Sequence, residues 1–177
     1  MPRLFAALSL PVAVTATLSE ARGGVPGARW IEPGDYHVTL RFIGDIDADV
    51  ARDVAEALAG VRRAPFAVEF DGFGSFGGDR PRAIVARIKR YQPLVELQGE
   101  LERRLRRIGL APETRNFTPH VTLARLRAAS PVAVAHYLGA RGGFAAPTFE
   151  AEAFSLFSSR DSVGGGPYVV EVDYPLV

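Results

Sequence analysis

The sequence predicts an α+β protein built from two similar lobes, for two reasons. Strand-like and helix-like segments alternate along the chain, which is typical of layered folds that combine sheets and helices. A His-Val-Thr-Leu motif starts at His37 and occurs again at His120, and two of the three histidines lie in it. A motif used twice at wide spacing suggests an internal repeat with pseudo-twofold symmetry.

The first third of the chain contains three strand patterns and two helix patterns. Residues 3–10 are an apolar run stopped by Pro11, and residues 12–22 form a helix pattern that ends at Gly23. Residues 28–31 form a brief strand pattern, and residues 35–43 carry the first motif. Residues 47–63 predict a helix that Asp45 or Asp47 can cap.

The middle of the chain predicts strands at residues 66–70 and 83–89, with a glycine-rich connection between them. That connection, Gly72 to Gly77, has the spacing of a dinucleotide-binding fingerprint. No helix pattern follows it, so hairpin glycines are the better interpretation. Residues 91–109 form the longest helix pattern, and the arginines that crowd its last turns suit a solvated helix C-terminus better than an RNA-binding patch.

The last part of the chain carries the second motif in a strand pattern at residues 120–126, after a loop at residues 112–119. A helix pattern covers residues 131–138, and strand patterns cover residues 149–157 and 168–174. The connection Ser158 to Pro167 contains Arg160, Asp161 and three consecutive glycines. We expect it to be a mobile loop at the rim of a cleft.

Composition limits the possible functions. A chain of 177 residues suffices for one domain, residues 1–177, and its formal net charge of +1 argues against long nucleic-acid tracts as partners. A short RNA end or a nucleotide stays open, because a local cleft can be basic. The absence of Cys excludes disulfides, thiolate zinc sites and Cys nucleophiles. We expect a cytoplasmic protein, since no segment approaches a membrane span of about 20 apolar residues.

The two motifs carry the candidate chemistry. In strands, His37, Thr39 and Arg41 share one face, as do His120 and Thr122, whereas Phe42 falls among the apolar residues of the opposite face. Two imidazoles suit acid–base catalysis near neutral pH, and hydroxyl groups can donate to phosphoryl oxygens. An arginine would stabilise the growing negative charge of a transition state.

The residues around the motifs supply no covalent nucleophile and no carboxylate set for magnesium. A zinc site lacks its third ligand, because His136 lies in a separate helical stretch. We therefore expect no metal and no cofactor. The constellation predicts hydrolysis of a phosphodiester by two histidines.

Several segments resemble one family. The doubled His-x-Thr-x motif resembles that of the 2H phosphoesterase superfamily, and more closely the bacterial RNA 2′,3′-cyclic phosphodiesterases, which were first called 2′-5′ RNA ligases. The resemblance extends over essentially the whole chain. Its landmarks are Arg3–Ala7, Arg29–Pro33, His37–Gly44, Pro119–Arg125, Leu156–Arg160 and Tyr168.

The resemblance implies two antiparallel sheets that line a central cleft, with helices outside. It implies that a 2′,3′-cyclic phosphate on an RNA 3′ end or a small nucleotide is opened to a 2′-phosphate by a monomer without an obligate partner. His37 resembles the proton donor, and His120 resembles the base that activates water. Thr39, Thr122 and Arg125 resemble phosphate ligands.

Two questions remain open at the level of sequence. Strict alternation places Arg125 on the face opposite His120, so either the strand bulges after Leu123 or the side chain reaches round its edge. Arg41 has the correct parity and is the substitute candidate. Two other functions stay in view: a nucleotide-binding or RNA-end-binding module without turnover, and 2′-5′ RNA ligation as the reverse reaction.

Overall fold

The computed structural model describes residues 3–159 and 167–177, and most of the predicted loop between Ser158 and Pro167, including Arg160 and Asp161, lies outside them. The α+β class is confirmed, with antiparallel strand pairing throughout the described sheets. The strands are β1 Arg3–Ser9, β2 Ala28–Trp30, β3 His37–Asp45, β4 Phe66–Val68, β5 Phe70–Phe76, β6 Ala83–Ile88, β7 His120–Leu126, β8 Phe149–Ala151, β9 Ala153–Ser159 and β10 Tyr168–Pro175. The helices are α1 Val12–Ser19, α2 Ala48–Ala59, α3 Gln92–Arg107 and α4 Pro131–Ala140.

Eight strands form one sheet that divides into two halves of four strands each. The first lobe consists of β10, β9, β1 and β3, and the second consists of β7, β6 and β5 with β2 paired on β7. Within the described residues, the two lobes are joined in the sheet by one residue pair, Val38 of β3 with Val121 of β7. Beyond it, β7 pairs with β2 instead of β3, so the two motif strands diverge and a cleft opens between the lobes.

The helices divide between the lobes in the same way. Helices α2 and α3 pack on each other, on β10 and on β3, whereas α4 packs on β5. On α4, the Tyr137 hydroxyl donates to the carbonyl of Ala21, just beyond α1, at 2.7 Å. The chain therefore crosses between the lobes several times. No helix in the described part of the chain is both long and apolar enough to cross a bilayer.

Three differences between the predicted boundaries and the structure matter most. Strand β5 runs through the glycine-rich connection, because its glycines lie in the sheet and the turn to β6 comes only after Phe76. The strand predicted at residues 149–157 is two strands that separate at Glu152 and pair with different partners. Helix α2 is capped by Asp47, whose carboxylate accepts the Val50 amide at 2.9 Å, and it ends at Ala59.

Both motif strands carry a bulge at the leucine that ends the motif. Along β3, Arg41 pairs with Ala6 and Thr39 with Ala7, so Leu40 has no partner in β1. Along β7, Leu123 likewise has no partner in β6. A bulge adds one residue and reverses the alternation that follows it. Arg41 and Phe42 in β3, and Arg125 in β7, therefore face opposite to the simple pattern.

The bulge at Leu40 changes the surroundings expected for Arg41, which borders the cleft but is only 7% exposed. Its Nε donates to Glu102 of α3 at 2.5 Å. Its two terminal guanidinium nitrogens donate to the carbonyls of Phe42 and Ala111, both at 2.6 Å. This cation joins α3 to β3, and each of its three nitrogens already donates one hydrogen bond within the protein.

Replacing Arg41 by Ala is expected to lower the free energy of unfolding by about 3 kcal/mol or more, because Glu102 would keep its charge in a mostly enclosed site without its partner. Urea denaturation measures the loss. Arg52→Ala is the matched control, since its pair with Asp49 is exposed and should contribute less than about 1 kcal/mol. Equal losses in the two variants would contradict the structural role of Arg41.

Candidate active site

The two motif histidines are held in the same way. The Nδ1 atom of His37 lies 2.8 Å from the Asp35 carbonyl, and Nδ1 of His120 lies 2.6 Å from the Thr118 carbonyl. A carbonyl only accepts, so Nδ1 carries the hydrogen in both rings. Each Nε2 therefore remains available as an acceptor when the ring is neutral and as a donor when it is protonated.

The junction of the lobes brings the motifs together. Extending the Val38–Val121 register by one residue in each direction places His37 opposite Thr122 and His120 opposite Thr39. Each imidazole thus faces the hydroxyl-bearing residue of the other motif across a pseudo-twofold axis. All four side chains line one cleft of about 710 Å³, a volume suited to a nucleotide-sized ligand.

The bulge at Leu123 explains the position of Arg125. Leu123 and Ala124 are consecutive buried residues, and the alternation then resumes with Arg125 exposed toward the cleft. A bulge therefore explains how Arg125 reaches the same side of the strand as His120. The predicted phosphate ligands Thr39, Thr122 and Arg125 all line the cleft that holds His37 and His120.

The same bulge in the first motif moves Phe42 into the cleft and corrects its expected place on the packing face. Phe42 is 44% exposed and lines the cleft, at the position that Arg125 occupies in the second motif. The signal was present in the sequence, because aligning the two motifs pairs Phe42 with Arg125. The lobes are therefore alike in their backbone and different in their chemistry.

The two imidazoles have different surroundings. The ring of His37 lies 4.9 Å from Phe5 and 5.0 Å from Tyr168, centroid to centroid, with Phe157 at 6.3 Å. Among the residues that the structure describes, His120 has one such neighbour, the Phe76 ring at 4.8 Å, edge to face. His37 is consequently the more enclosed of the two.

This enclosure sets the protonation of His37. Burial lowers its pKa to about 4, with smaller lowering contributions from His120 and Arg125, although the Asp35 carbonyl opposes the shift. The pKa of His120 is also lowered by burial and by Arg125, against the effect of the Thr118 carbonyl. Both rings are therefore neutral at pH 7 in the ligand-free protein.

Aromatic side chains near the motif strands could stack a base. Tyr36 and Phe157 are buried, whereas Phe117 lines the cleft. Phe42, Phe76 and Tyr168 also line the cleft, which the sequence pattern did not indicate. His136, the third histidine, is exposed on α4, and Arg82, immediately before β6, is a cleft-lining cation that carried no sequence signal.

The fold and the paired His-x-Thr motifs define a class of phosphoesterases, and comparison with known proteins agrees. A family model described as the 2′-5′ RNA ligase superfamily matches residues 11–162. The chain belongs to that superfamily.

Individual relatives carry more specific names. The chain is 40% identical over 113 residues to an RNA 2′,3′-cyclic phosphodiesterase of Aeropyrum pernix, across 63% of the chain and 64% of the relative. It is 32% identical over 116 residues to one of Geobacillus stearothermophilus, across 64% of the chain and 37% of the relative. The matches thus span less than two thirds of either relative.

Solved structures share the fold along almost the whole chain. The crystal structure of the Thermus thermophilus protein TT0787 superposes with a TM-score of 0.81 at 25% identity, covering 98% of this chain and 97% of that one. Escherichia coli LigT complexed with 3′-AMP gives a TM-score of 0.77 at 22% identity, covering 99% of each chain.

An NMR titration of the imidazole protons should show His37 titrating at about pH 4 in the ligand-free protein, below His120. In the unfolded chain His37 has its ordinary pKa of 6.5. Between pH 6.5 and pH 4 the unfolded chain therefore binds more protons than the folded protein, so the free energy of unfolding decreases as the pH falls through this range. His37→Asn should remove that part of the acid-induced loss, and His136→Asn should leave it unchanged. A His37 midpoint above 6.5 would contradict the enclosure argument.

Proposed function

We propose that the chain hydrolyses 2′,3′-cyclic phosphates at RNA 3′ ends or on small nucleotides and leaves a 2′-phosphate, without a metal ion or cofactor. The observation that carries the proposal is the pair of imidazoles anchored through Nδ1, whose Nε2 atoms share a cleft with two threonines and Arg125. The printed names of the relatives, RNA 2′,3′-cyclic phosphodiesterases, support the same substrate class.

In the proposed reaction the attacking water and the leaving 3′ oxygen lie in line on opposite sides of phosphorus, and one histidine acts on each. The Nε2 atom of His120 takes a proton from water as the water oxygen attacks phosphorus. The bond from phosphorus to the 3′ oxygen breaks, and His37 gives its proton to that oxygen. The protons balance, because one is taken from water and one is given to the leaving group.

Thr39, Thr122 and Arg125 serve as ligands of the phosphoryl oxygens. Their donors stabilise the negative charge that increases when phosphorus becomes five-coordinate. Arg125 acts from one lobe only, because the equivalent position in the other lobe is Phe42. The cleft therefore has one strongly cationic side.

His37 must hold a proton to act as the donor, and its low pKa opposes this in the ligand-free protein. A bound phosphate anion beside the ring would favour the imidazolium form and raise that pKa. Binding of the substrate would therefore itself favour the protonated form of His37 that acts as the donor. His120 needs no such change, because it is already neutral at pH 7 and ready to accept a proton.

The remaining parts of the proposal concern the molecule as a whole. Residues 1–177 act as one unit, because both lobes contribute to the cleft. The protein acts as a cytoplasmic monomer, which sedimentation of the purified protein tests. RNA ligation through a 2′-5′ linkage is the same reaction reversed, with a 5′-hydroxyl in place of water, and is a side activity.

A second candidate function is binding of a nucleotide or RNA end without turnover. The neutral state of His37 at pH 7 favours it, because a neutral ring cannot protonate a leaving group. Tight binding of a 2′-phosphate product without hydrolysis of the cyclic form would support this alternative.

Product analysis tests the proposed function directly. An oligonucleotide ending in a 2′,3′-cyclic phosphate should yield a 2′-phosphate end, identified by phosphorus NMR, and a chelator should leave the rate unchanged. A 3′-phosphate product, or complete loss of activity with the chelator, would contradict the proposal.

Replacing either motif histidine by Ala should lower kcat by on the order of 10² or more, because each supplies one proton transfer. His136→Ala is the matched control and should retain full activity, since this residue is exposed on α4. Full activity in His37→Ala or in His120→Ala would rule out the acid–base mechanism.

The pH dependence of the rate assigns the two roles. The alkaline limb of kcat/KM should lie at lower pH than the alkaline limb of kcat, because kcat/KM reports the free donor and kcat reports the donor beside bound phosphate. The activity that remains in His37→Ala should no longer fall at alkaline pH. The activity that remains in His120→Ala should no longer fall at acid pH. The reverse pattern would exchange donor and base.

A further inference from the structure

The two sides of the cleft differ in charge. Around His37 the first lobe presents the aromatic rings of Phe5, Phe42 and Tyr168. Around His120 the second lobe presents three exposed guanidinium groups, on Arg82, Arg87 and Arg125. None of the three forms an ion pair or hydrogen bond through its side chain with any residue that the structure describes.

Many other arginines are neutralised. Arg41, Arg63 and Arg104 are paired with glutamates of α3. Two carboxylates line the cleft: Asp35, which accepts the Tyr168 amide at 3.3 Å, and Glu113, which bonds Arg115. In the part of the chain that the structure describes, neither carboxylate forms an ion pair or hydrogen bond with a cation of the second lobe.

Arg87 has the most informative position. It lies on β6 directly opposite His120 of β7, so the two side chains leave the sheet on the same face. Its guanidinium lies across Gly74 of β5, where an added Cβ would come within 2.3 Å of Nε. Gly74 therefore leaves the space that allows Arg87 to extend along the cleft face of the second lobe.

Arg82 continues the same surface. It precedes Ala83, which pairs with Arg125 of β7, and it lines the cleft. The three cations thus follow β6 and β7 from the position of Arg125 to that of His120. An exposed row of unpaired guanidinium groups fits a row of phosphates, which arginine binds through two parallel hydrogen bonds.

We propose that Arg82 and Arg87 bind phosphates of the RNA strand on the 5′ side of the terminal cyclic phosphate. The strand then leaves the cleft along the second lobe. This inference rests on the proposed function, and it assigns Arg125 to the reacting phosphate and the other two cations to its neighbours. An RNA end is consequently a better substrate than a cyclic mononucleotide, which has no neighbouring phosphate to bind.

The kinetic test compares two substrates, a 2′,3′-cyclic mononucleotide and a short single-stranded RNA with the same terminal nucleotide. Arg87→Gln and Arg82→Gln should each lower kcat/KM for the RNA by about tenfold, the effect of one lost charged hydrogen bond. The mononucleotide should change by less than about twofold. Arg107→Gln, at an exposed position on α3, is the matched control and should alter neither value.

A binding measurement separates failure of this inference from failure of the proposed function. Fluorescence anisotropy with a labelled RNA that ends in a 2′-phosphate needs no turnover. Each Arg→Gln variant should weaken binding, and the salt dependence of log K should fall by about 0.7 for each lost phosphate contact. Unchanged binding of the RNA, or equal kinetic losses on both substrates, would overturn the inference.

Gly74→Ala provides a variant that keeps every charge. The three atoms nearest to the added methyl group all belong to the far end of the Arg87 side chain, so the fold should persist while the guanidinium is displaced. The variant should reproduce the RNA-selective loss of Arg87→Gln, with the thermal midpoint as a check on folding. Wild-type RNA binding in Gly74→Ala would contradict the assigned path along the second lobe.

Discussion

The pairing of Val38 with Val121 is the constraint on which the site depends. It is the single point in the described sheet where the two lobes share a strand-to-strand register, and both valines are fully buried. Each lies directly after its motif histidine. Packing of two apolar side chains therefore fixes the distance and orientation of the polar residues on the opposite face. Divergence of the strands beyond that point creates the space that a ligand occupies.

The bulges at Leu40 and Leu123 add the second constraint. Each bulge places two consecutive buried residues in the strand, so Phe42 and Arg125, five residues after the motif histidines, face the cleft. The same bulge has a different consequence in each strand. In the first motif it directs Arg41 into a pair with Glu102 that joins α3 to β3, and in the second it directs Arg125 into the cleft.

Much of the fold and site could be predicted from the sequence, because the signals are local. The alternation in each motif correctly placed His37, Thr39, His120 and Thr122 on one face up to the leucine. The burial of Arg41 against Glu102 and the exposure of Phe42 were not predicted, because a bulge depends on how a strand pairs with its neighbour. Strand β5 was missed because its glycines resemble a loop, although here they make room within the sheet for Arg87.

The difference between the two histidines could not be predicted from their near-identical motifs. It arises from Phe5 on β1, Phe157 on β9 and Tyr168 on β10, which come from the two ends of the chain and meet only in the folded sheet. Their rings reduce the contact of His37 with water. Protonation of that residue is therefore a property of tertiary structure.

The exchange of Phe42 for Arg125 between equivalent positions has a consequence for the roles of the two histidines. A cleft with true twofold symmetry would accept a cyclic phosphate in two orientations related by the axis, and each histidine would act as donor in one of them. The two complexes would be identical by symmetry and would release the same product, so neither histidine would have a fixed role. One aromatic ring and one cation at otherwise equivalent positions would remove this degeneracy, because only one orientation would set the anionic oxygens against the guanidinium. A single residue difference between two copies of a motif would thereby assign one role to each histidine.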